Sequence, residues 1–250
     1  MSLARSNETE TRTSPLAQVV HFAFANRQPQ LSATVVIADA FRSAVLSALH
    51  NKVRANDSLL LSGHNADGTP DQENRHAYYL PMPAGDGSQR LTGILVVCPV
   101  AQFSAQEMAA LRAVTTLRWN GPSTKLALEL VETDDRAVAT IAFRWASTTP
   151  YVPIRRFWGT HGKHHLVPEK QLEEELRRTG VAELTAIEIQ PWCKVRIRRK
   201  SSHSAGTASH PAIRLGYRAV FSTAKPILGP VALGHSCHFG LGQFIPVPNI

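Results

Sequence analysis

The residues best suited to chemistry lie near the C-terminus, in the run Gly-His-Ser-Cys-His-Phe-Gly-Leu-Gly at positions 234–242. Glycines let the backbone turn tightly and approach a partner closely. Exposed backbone N–H groups in such a turn can hold phosphate oxygens, and the histidine and serine side chains add hydrogen-bonding groups. Glycine-rich segments also serve as plain turns, so the run by itself only favours a phosphate-binding loop. The residues that we expect to contact a polyanion are Gly234, His235, Ser236, His238, Gly240 and Gly242.

Two further stretches combine basic residues with residues that stack or pack. Positions 155–165 place arginines, a lysine and histidines beside Trp158. This suits single-stranded RNA, because bases stack on aromatic rings while phosphates need neutralising. Positions 194–200 (KVRIRRK) alternate as a strand does, which would align a basic stripe on one face, although a solvated edge strand protected by charge explains the same pattern. The RNA-binding candidates in these stretches are Arg155, Arg156, His161, His164, Lys194, Arg196, Arg198, Arg199 and Lys200.

The excess of positive charge is concentrated at one end of the chain. The net charge is +8, and positions 189–250 contain eight lysines and arginines and no acidic residue. The remaining 19 basic and 19 acidic residues cancel. A folded segment of one sign is typical of proteins that bind a polyanion, and strand-like apolar sequence within it favours a folded nucleic-acid-binding domain over a basic surface without a partner.

Composition excludes several other classes of protein. The chain has 250 residues, 43% of them hydrophobic and 18% charged, which is typical of a globular protein. Positions 1–16 are polar and carry acids, unlike a signal peptide, and are interpreted as a disordered lead-in. No unbroken apolar run approaches the roughly 20 residues of a membrane span. Three scattered cysteines and the histidine clusters provide no convincing set of four zinc ligands, so we expect no metal, no cofactor and a cytoplasmic protein.

The elements that must position these residues follow a recognisable order. Positions 18–25, 78–81, 91–99 and 125–132 have strand character, whereas 32–49 has apolar residues at helical spacing. Ser104 with Glu107 predicts the capping box of a second helix. The order strand, helix, strand, strand, helix, strand is that of a ferredoxin-like βαββαβ domain, which we assign to 17–135.

The remainder, 136–250, predicts a second and less regular domain of the same kind. Strand-like sequence at 140–145 is followed by a helix at 168–178, which begins with proline and ends before Gly180. Further strands are expected at 184–190, 194–199, 212–222 and 227–233. The predicted fold class is therefore α+β, with two ferredoxin-like domains packed in tandem.

Four short motifs, in order along the chain, resemble one protein family. They are SGHNADG at 62–68, RHAYYLP at 75–81, TPYVP at 149–153 and GPVALGHSCHFGLG at 229–242. Together they are similar to CRISPR repeat-RNA endoribonucleases of the RAMP superfamily, most closely to the processing half of the fused backbone-and-processing subunit of subtype I-G (formerly I-U) effectors. The chain departs from the broader signature at Ala232, where a glycine is usual, and in lacking the common lysine or arginine within the loop. It is too short to include the backbone half.

The resemblance implies a metal-independent cleavage of precursor RNA, in which a 2′-hydroxyl attacks the neighbouring phosphate and leaves a 2′,3′-cyclic phosphate. It also implies that a histidine after the first helix is the general base. His64 lies there, in a long polar loop, and His76 is the second candidate; a turn residue and a structural histidine are the respective alternatives. Tyr78 is grouped with them. Tyr78 and Tyr79 would face opposite sides of a strand, so we expect one of them in the core and the other free to stack on a base.

The implied partner is the CRISPR repeat hairpin, with other effector subunits as further candidates. Two alternatives remain at this point. One is a non-catalytic RNA-binding subunit of the same kind of effector, and the other is an unrelated RNA-binding protein with ferredoxin-like domains.

Overall fold

The described part of the chain forms two five-stranded antiparallel sheets, with three α-helices in the first half and one in the second. The computed structural model describes residues 18–50, 58–69, 71, 75–98, 101–119, 125–131, 140–154, 167–180, 183–197 and 213–248. The first half contains β1 (Gln18–Phe24), α1 (Thr34–His50), α2 (Leu59–Ser62), β2 (Tyr78–Pro83), β3 (Leu91–Cys98), α3 (Ala105–Arg112), β4 (Thr116–Arg118) and β5 (Lys125–Val131). The second half contains β6 (Ile141–Ser147), α4 (Pro168–Arg178), β7 (Leu184–Arg196), β8 (Ile213–Leu228), β9 (Val231–Ala232) and β10 (Gln243–Pro246).

Both sheets have the strand order of a ferredoxin-like domain with one strand added at an edge. The orders are β2-β3-β1-β5-β4 and β7-β8-β6-β10-β9, and every pairing is antiparallel. The predicted α+β class with two ferredoxin-like domains is therefore confirmed. The predicted lead-in and the boundary near 135 lie outside the described residues.

Helix α1 forms the centre of the first core. Ile37, Phe41, Val45 and Leu49 recur at every fourth position, so they share one side of the helix, and each is at most 1% exposed. Phe41 packs on Phe22 of β1, with ring centroids 5.0 Å apart. The segment 31–50 is long and apolar enough to span a membrane by length and composition, but its apolar side chains are those that fill this core.

Helix α3 begins at the predicted capping box. Ser104 Oγ accepts the N–H of Glu107 at 3.2 Å, and Glu107 Oε2 accepts the N–H of Ser104 at 2.7 Å. The second carboxylate oxygen, Oε1, accepts the hydroxyl of Ser58 at 2.5 Å. Ser58 is itself the N-cap of α2, where its Oγ accepts the N–H of Leu61. One buried glutamate thus connects the starts of two helices.

The second half differs from its prediction in three respects. The strands expected at 184–190 and 194–199 form the single strand β7, which continues through an irregularity between Pro191 and Cys193. Strand β8 likewise runs from Ile213 to Leu228. Finally, where the first half has α3, between its third and fourth main strands, the second half has β9 and the glycine-rich segment with a short 3-10 turn, Cys237–Phe239.

Candidate active site and nucleic-acid interface

The glycine loop, residues 234–242, is folded tightly against the rest of the protein. Gly234, Gly240 and Gly242 all have positive φ, at +91°, +82° and +58°, which glycine adopts without steric cost. A Cβ on Gly242 would lie 1.9 Å from the carbonyl oxygen of Leu233, and one on Gly234 would lie 2.6 Å from that of Val152. The glycines are therefore required by close packing inside the protein.

The N–H groups of these glycines are occupied by the protein. Gly234 donates to a carboxylate oxygen of Glu175 at 2.6 Å, and Gly242 donates to the carbonyl of Pro150 at 3.0 Å. Gly240 donates to the carbonyl of Cys237 at 3.0 Å. The three glycine N–H groups are thus bonded within the protein in this conformation, and phosphate binding by them stays a prediction. RNA contact by the loop's side chains stays a prediction.

The loop places His238 against two of the predicted catalytic residues. The imidazole of His238 stacks on the ring of Tyr78, with centroids 3.9 Å apart and planes inclined by 25°. The centroid of His76 lies 4.1 Å from that of His238. His76 and Tyr78 belong to the start of β2, whereas His238 lies in the 3-10 turn of the second half. We call His64, His76, Tyr78 and His238 the histidine cluster.

His64 is held at the end of α2. The helix ends at Gly63, whose φ is +68°, and His64 Nδ1 lies 2.9 Å from the carbonyl oxygen of Ser62. A carbonyl only accepts, so Nδ1 carries the proton and Nε2 has the lone pair. The same carbonyl accepts the guanidinium of Arg42 from α1. His64 therefore makes the local hydrogen bond expected of a turn histidine, and its Nε2 remains available to act as a base.

His76 packs directly on this turn. A Cβ on Gly63 would lie 3.1 Å from the His76 ring, so only glycine leaves this ring its normal space. His76 Nδ1 lies 3.1 Å from the carbonyl oxygen of Ala77, which again fixes the proton on Nδ1. Asp71, almost fully buried, accepts hydrogen bonds from the backbone N–H and the guanidinium of Arg75.

Burial sets the charge of the cluster. It lowers the pKa of His238 to about 3, with His76 lowering it further and Asp71 opposing the change. Burial also lowers the pKa of His76, against the opposing hydrogen bond to Ala77, and raises the pKa of Tyr78. Both histidines are thus neutral at pH 7, and Tyr78 retains its hydroxyl proton. His238 Nδ1 is buried without a hydrogen-bond partner among the described residues.

Sequence reasoning missed two charged groups of this site. Arg42 bonds the carbonyl behind His64, and the charge of Asp71 partly opposes the lowering of the pKa of His76 and His238 by burial. A cation on a helix as apolar as α1 is a usable signal in the sequence, because such a residue needs a buried acceptor or solvent. Asp71 gave no comparable signal, since it lies in a polar loop.

The other RNA-binding candidates are more scattered. Lys194 and Arg196 are exposed on β7 while Val195 and Ile197 are buried, so the predicted alternation is present there. Val195 and Ile197 pack with Leu241 of the glycine loop, so Lys194 and Arg196 lie on the opposite, exposed face of the strand. His235 Nδ1 bonds Ser236 Oγ at 2.8 Å. The remaining candidates lie outside the described residues: Arg155, Arg156, His161, His164, Arg198, Arg199 and Lys200.

A separate cleft of about 790 Å³ opens between the two sheets. Its walls include His21 from β1 and Trp145 from β6, and the guanidinium of Arg218 lies 5.0 Å from the Trp192 ring at the same cleft. None of the histidine cluster lines it. Within the part of the chain that the structure describes, no group of three or more His, Cys, Asp or Glu residues is arranged to hold a metal ion.

No family model matches the sequence, and no curated protein matches it significantly. Solved structures of similar fold include one described as "Cas6 (TTHB231) product complex", 11% identical, covering 93% of this chain and 99% of that chain, with a TM-score of 0.45. Another is described as "Characterization of a Cas6-related gene from Pyrococcus furiosus", 9% identical, covering 92% and 98%, with a TM-score of 0.47. A third, "Csf5, CRISPR-Cas type IV Cas6 crRNA endonuclease", is 15% identical, covering 93% and 99%, with a TM-score of 0.40. At these values the likenesses carry no argument about activity.

Proposed function

We propose that this protein is a metal-independent endoribonuclease that cleaves CRISPR precursor RNA within its repeats and stays bound to the repeat hairpin. The observation that carries the proposal is the convergence of His76, Tyr78 and His238, from both halves of the chain, beside His64. The four sequence motifs that resemble the CRISPR repeat endoribonucleases contribute to or adjoin this one site. The closer relation to the subtype I-G processing half is part of the proposal.

The chemistry requires a base for the 2′-hydroxyl, an acid for the leaving 5′-oxygen and donors for the phosphorane charge. His64 acts as the base through Nε2, since Nδ1–H is committed to the carbonyl of Ser62. His76 is the acid. It is neutral in the free protein, and the negative charge of the scissile phosphate raises its pKa, with Asp71 acting in the same direction. The Tyr78 hydroxyl keeps its proton and donates a hydrogen bond to a non-bridging phosphate oxygen.

The decisive experiment incubates the protein with its repeat RNA in EDTA. Cutting at one site, with a 2′,3′-cyclic phosphate end, is the expected result. A 2′-deoxy nucleotide immediately 5′ of the cut should abolish cleavage while leaving binding intact, because the nucleophile is absent. Cleavage that continues with the 2′-deoxy substrate would contradict the mechanism.

Substitution of the two histidines tests the assignment of the site. His64→Ala and His76→Ala should each reduce the single-turnover rate by roughly 10²- to 10⁴-fold, the usual contribution of a general acid or base. Hairpin affinity should change little, because phosphate contacts elsewhere provide most of it. His50→Ala, at the exposed end of α1, is the matched control and should cleave normally. Normal cleavage by both site variants would show that the chemistry lies elsewhere.

One observation favours a second candidate, a non-catalytic RNA-binding subunit. His76 and His238 are both neutral in the free protein, so neither of these two imidazoles is a ready proton donor. This alternative predicts specific hairpin binding without any cut at pH 6 to 8. It also predicts that His64→Ala binds the hairpin as tightly as the unsubstituted protein, and that neither of them cleaves it.

A further inference from the structure

Helix α4 carries three consecutive glutamates that have different surroundings. Glu173 pairs with Lys170 at 2.9 Å and with Arg177, and Glu174 lies 3.8 Å from Arg178. Glu175 instead points towards the glycine loop. Its Oε1 accepts the hydroxyl of Tyr151 at 3.1 Å, and its Oε2 accepts the N–H of Gly234 at 2.6 Å. The sequence gives no sign that this glutamate differs from its neighbours.

The two donors place Glu175 at the start of the glycine loop. A Cβ on Gly234 would lie 2.9 Å from the Tyr151 ring, so loop and ring are in close contact. The next residue, His235, donates its N–H to the carbonyl of Val152 at 2.7 Å. The segment before α4 and the helix itself thus hold the first residues of the loop from two sides.

A short path of hydrogen bonds leads from this contact between Glu175 and Gly234, which we call the anchor, to the histidine cluster. The carbonyl of Gly234 accepts the N–H of Cys237 at 3.4 Å, and Cys237 precedes His238. The loop is closed further by the bond from Gly240 to Cys237. Since His238 stacks on Tyr78 within this short turn, a shift at Gly234 moves the imidazole relative to β2.

We propose that Glu175 is a positioning residue for RNA cleavage, whose carboxylate holds the N–H of Gly234 and thereby keeps His238 against Tyr78 and His76. The inference rests on the proposed function, but the positioning itself is a property of the free protein. The proposed role belongs to a residue of α4, which lies outside all four sequence motifs.

The charge state of Glu175 supports this role. Burial raises its pKa to about 7, while the Tyr151 hydroxyl, the Gly234 N–H and Arg178 act in the opposite direction. Within the described ranges, the thiol of Cys237 also faces it, and the pKa of this thiol rises to about 12 through burial and the Glu175 charge. The ionised carboxylate accepts both donors, whereas the protonated form carries a hydroxyl that competes with Tyr151 as a donor. The anchor therefore weakens as the pH falls through about 7.

The test compares Glu175→Ala and Glu175→Gln with the neighbouring Glu174→Gln. For Glu175→Ala we expect faster amide hydrogen exchange in residues 234–242, and a single-turnover cleavage rate lower by up to about 100-fold, as for other small misplacements of catalytic groups. Hairpin affinity should be nearly unchanged. Glu174→Gln should match the unsubstituted protein in all three measurements. Unchanged loop exchange in Glu175→Ala, or a uniform rise across the whole chain in both Glu175 variants, would overturn the proposal.

A second measurement separates positioning from mere stability. The amide resonance of Gly234 should titrate with a midpoint near pH 7, and this titration should be absent in Glu175→Gln. Tyr151→Phe removes one donor that lowers the pKa of Glu175, so the midpoint should move upward. A midpoint that is unaffected by either variant overturns the proposal. If the unsubstituted protein cuts no RNA, the proposed function fails, while the exchange and titration results still decide the role of Glu175.

Discussion

At the scale of single residues, burial rather than direct bonding decides how His238 behaves. Its ring lies between His76 and Tyr78, and its Nδ1 has no partner among the described residues. An imidazole in such surroundings resists protonation, because charge is costly where water is excluded. It therefore contributes shape and contact to the free protein. A positive charge would come only with a bound phosphate.

This burial predicts how stability depends on pH. The pKa of His238 falls from 6.5 in the unfolded chain to about 3 in the folded protein. Between these values the unfolded state binds the proton and the folded state does not, so stability falls as the pH is lowered below 6.5. His238→Gln should make the decline in Tm between pH 7 and pH 5 shallower. His76 shifts in the same direction, so part of the decline should persist.

Glu175 should affect the pH dependence of stability in the opposite direction to His238, and it therefore serves as a control. The ionised carboxylate is the better acceptor for the loop, but burial disfavours its charge by more, so the folded pKa of about 7 lies above the ordinary value of 4.5. The net stability that Glu175 contributes is therefore present below pH 4.5 and is lost as the pH rises through 7. Glu175→Gln should therefore make the acid decline in Tm steeper. Equal slopes in both variants and the unsubstituted protein would show that neither group is perturbed as described.

At the scale of elements, Glu107 has more consequences than an ordinary capping residue. It completes the capping box of α3 and also binds Ser58, the N-cap of α2. Helix α2 ends at Gly63, immediately before His64. The position of a candidate catalytic residue thus depends on a carboxylate in a different helix, because the two helices share one cap.

This arrangement predicts unequal costs for the two capping residues of α3. Ser104→Ala should lower the free energy of unfolding by about 1 kcal/mol, as for other N-caps. Glu107→Ala should cost roughly 2–3 kcal/mol, because it leaves the buried Ser58 hydroxyl and the Ser104 N–H without their acceptor. Gln106→Ala, exposed on the same helix, should change little. Urea denaturation measures all three, and equal losses at 104 and 107 would refute the shared cap.

Local signals explain which elements the sequence could predict. The helix at 168–178 was predicted at its observed bounds, because proline at its start and Gly180 after its end mark both limits. The single strand β7 was predicted as two, since Pro191 normally interrupts a strand; an irregularity in the pairing accommodates it here. Strand β4 has only three residues and leaves no periodic pattern.

The site was harder to predict for a different reason. His76 and Tyr78 were recognised as candidates, but the contact of Tyr78 with His238 joins residues from separate domains. No local pattern encodes how two domains pack. The use of the glycines was hard to predict for a similar reason, because the same residue type serves close packing and ligand approach alike. Only the three-dimensional structure shows how closely these glycines are packed.

At the scale of the whole molecule, the glycine loop connects the two halves. Gln243, just after it, donates from Nε2 to the carbonyl of Pro81 in β2 at 2.7 Å and to that of Gly240 at 2.9 Å. Leu241 packs with Val35 of α1 and with Val152. The histidine cluster therefore exists only when the two halves are docked.

Gly240 offers a test of this docking. A Cβ there would lie 2.5 Å from Pro81 Cδ and 3.0 Å from Thr34 Cγ2, both in the first half. Gly180 has a similar φ, +84° against +82°, but nothing within 4 Å of its Cβ position. Gly180→Ala should lose about 1–2 kcal/mol of unfolding free energy from backbone strain alone. Gly240→Ala should lose a further ~1–3 kcal/mol from overpacking between the halves.

The comparison of these two variants also has a functional readout. Cleavage by Gly180→Ala should be normal at a temperature where the protein is folded, whereas Gly240→Ala should cut more slowly because the His238 ring is displaced from β2. Equal activity and equal stability of the two variants would show that the contact with Pro81 does not hold the halves together.

The glycine loop occupies the place in the second half that α3 occupies in the first. It fills that place with the buried side chain of Leu241, next to that of Leu233, and with backbone bonds to its surroundings. Surface loops ordinarily tolerate insertions and drift in sequence. This one is constrained from inside as a core helix is, so over evolutionary time its length and its glycines should be retained even in homologues that do not cleave RNA.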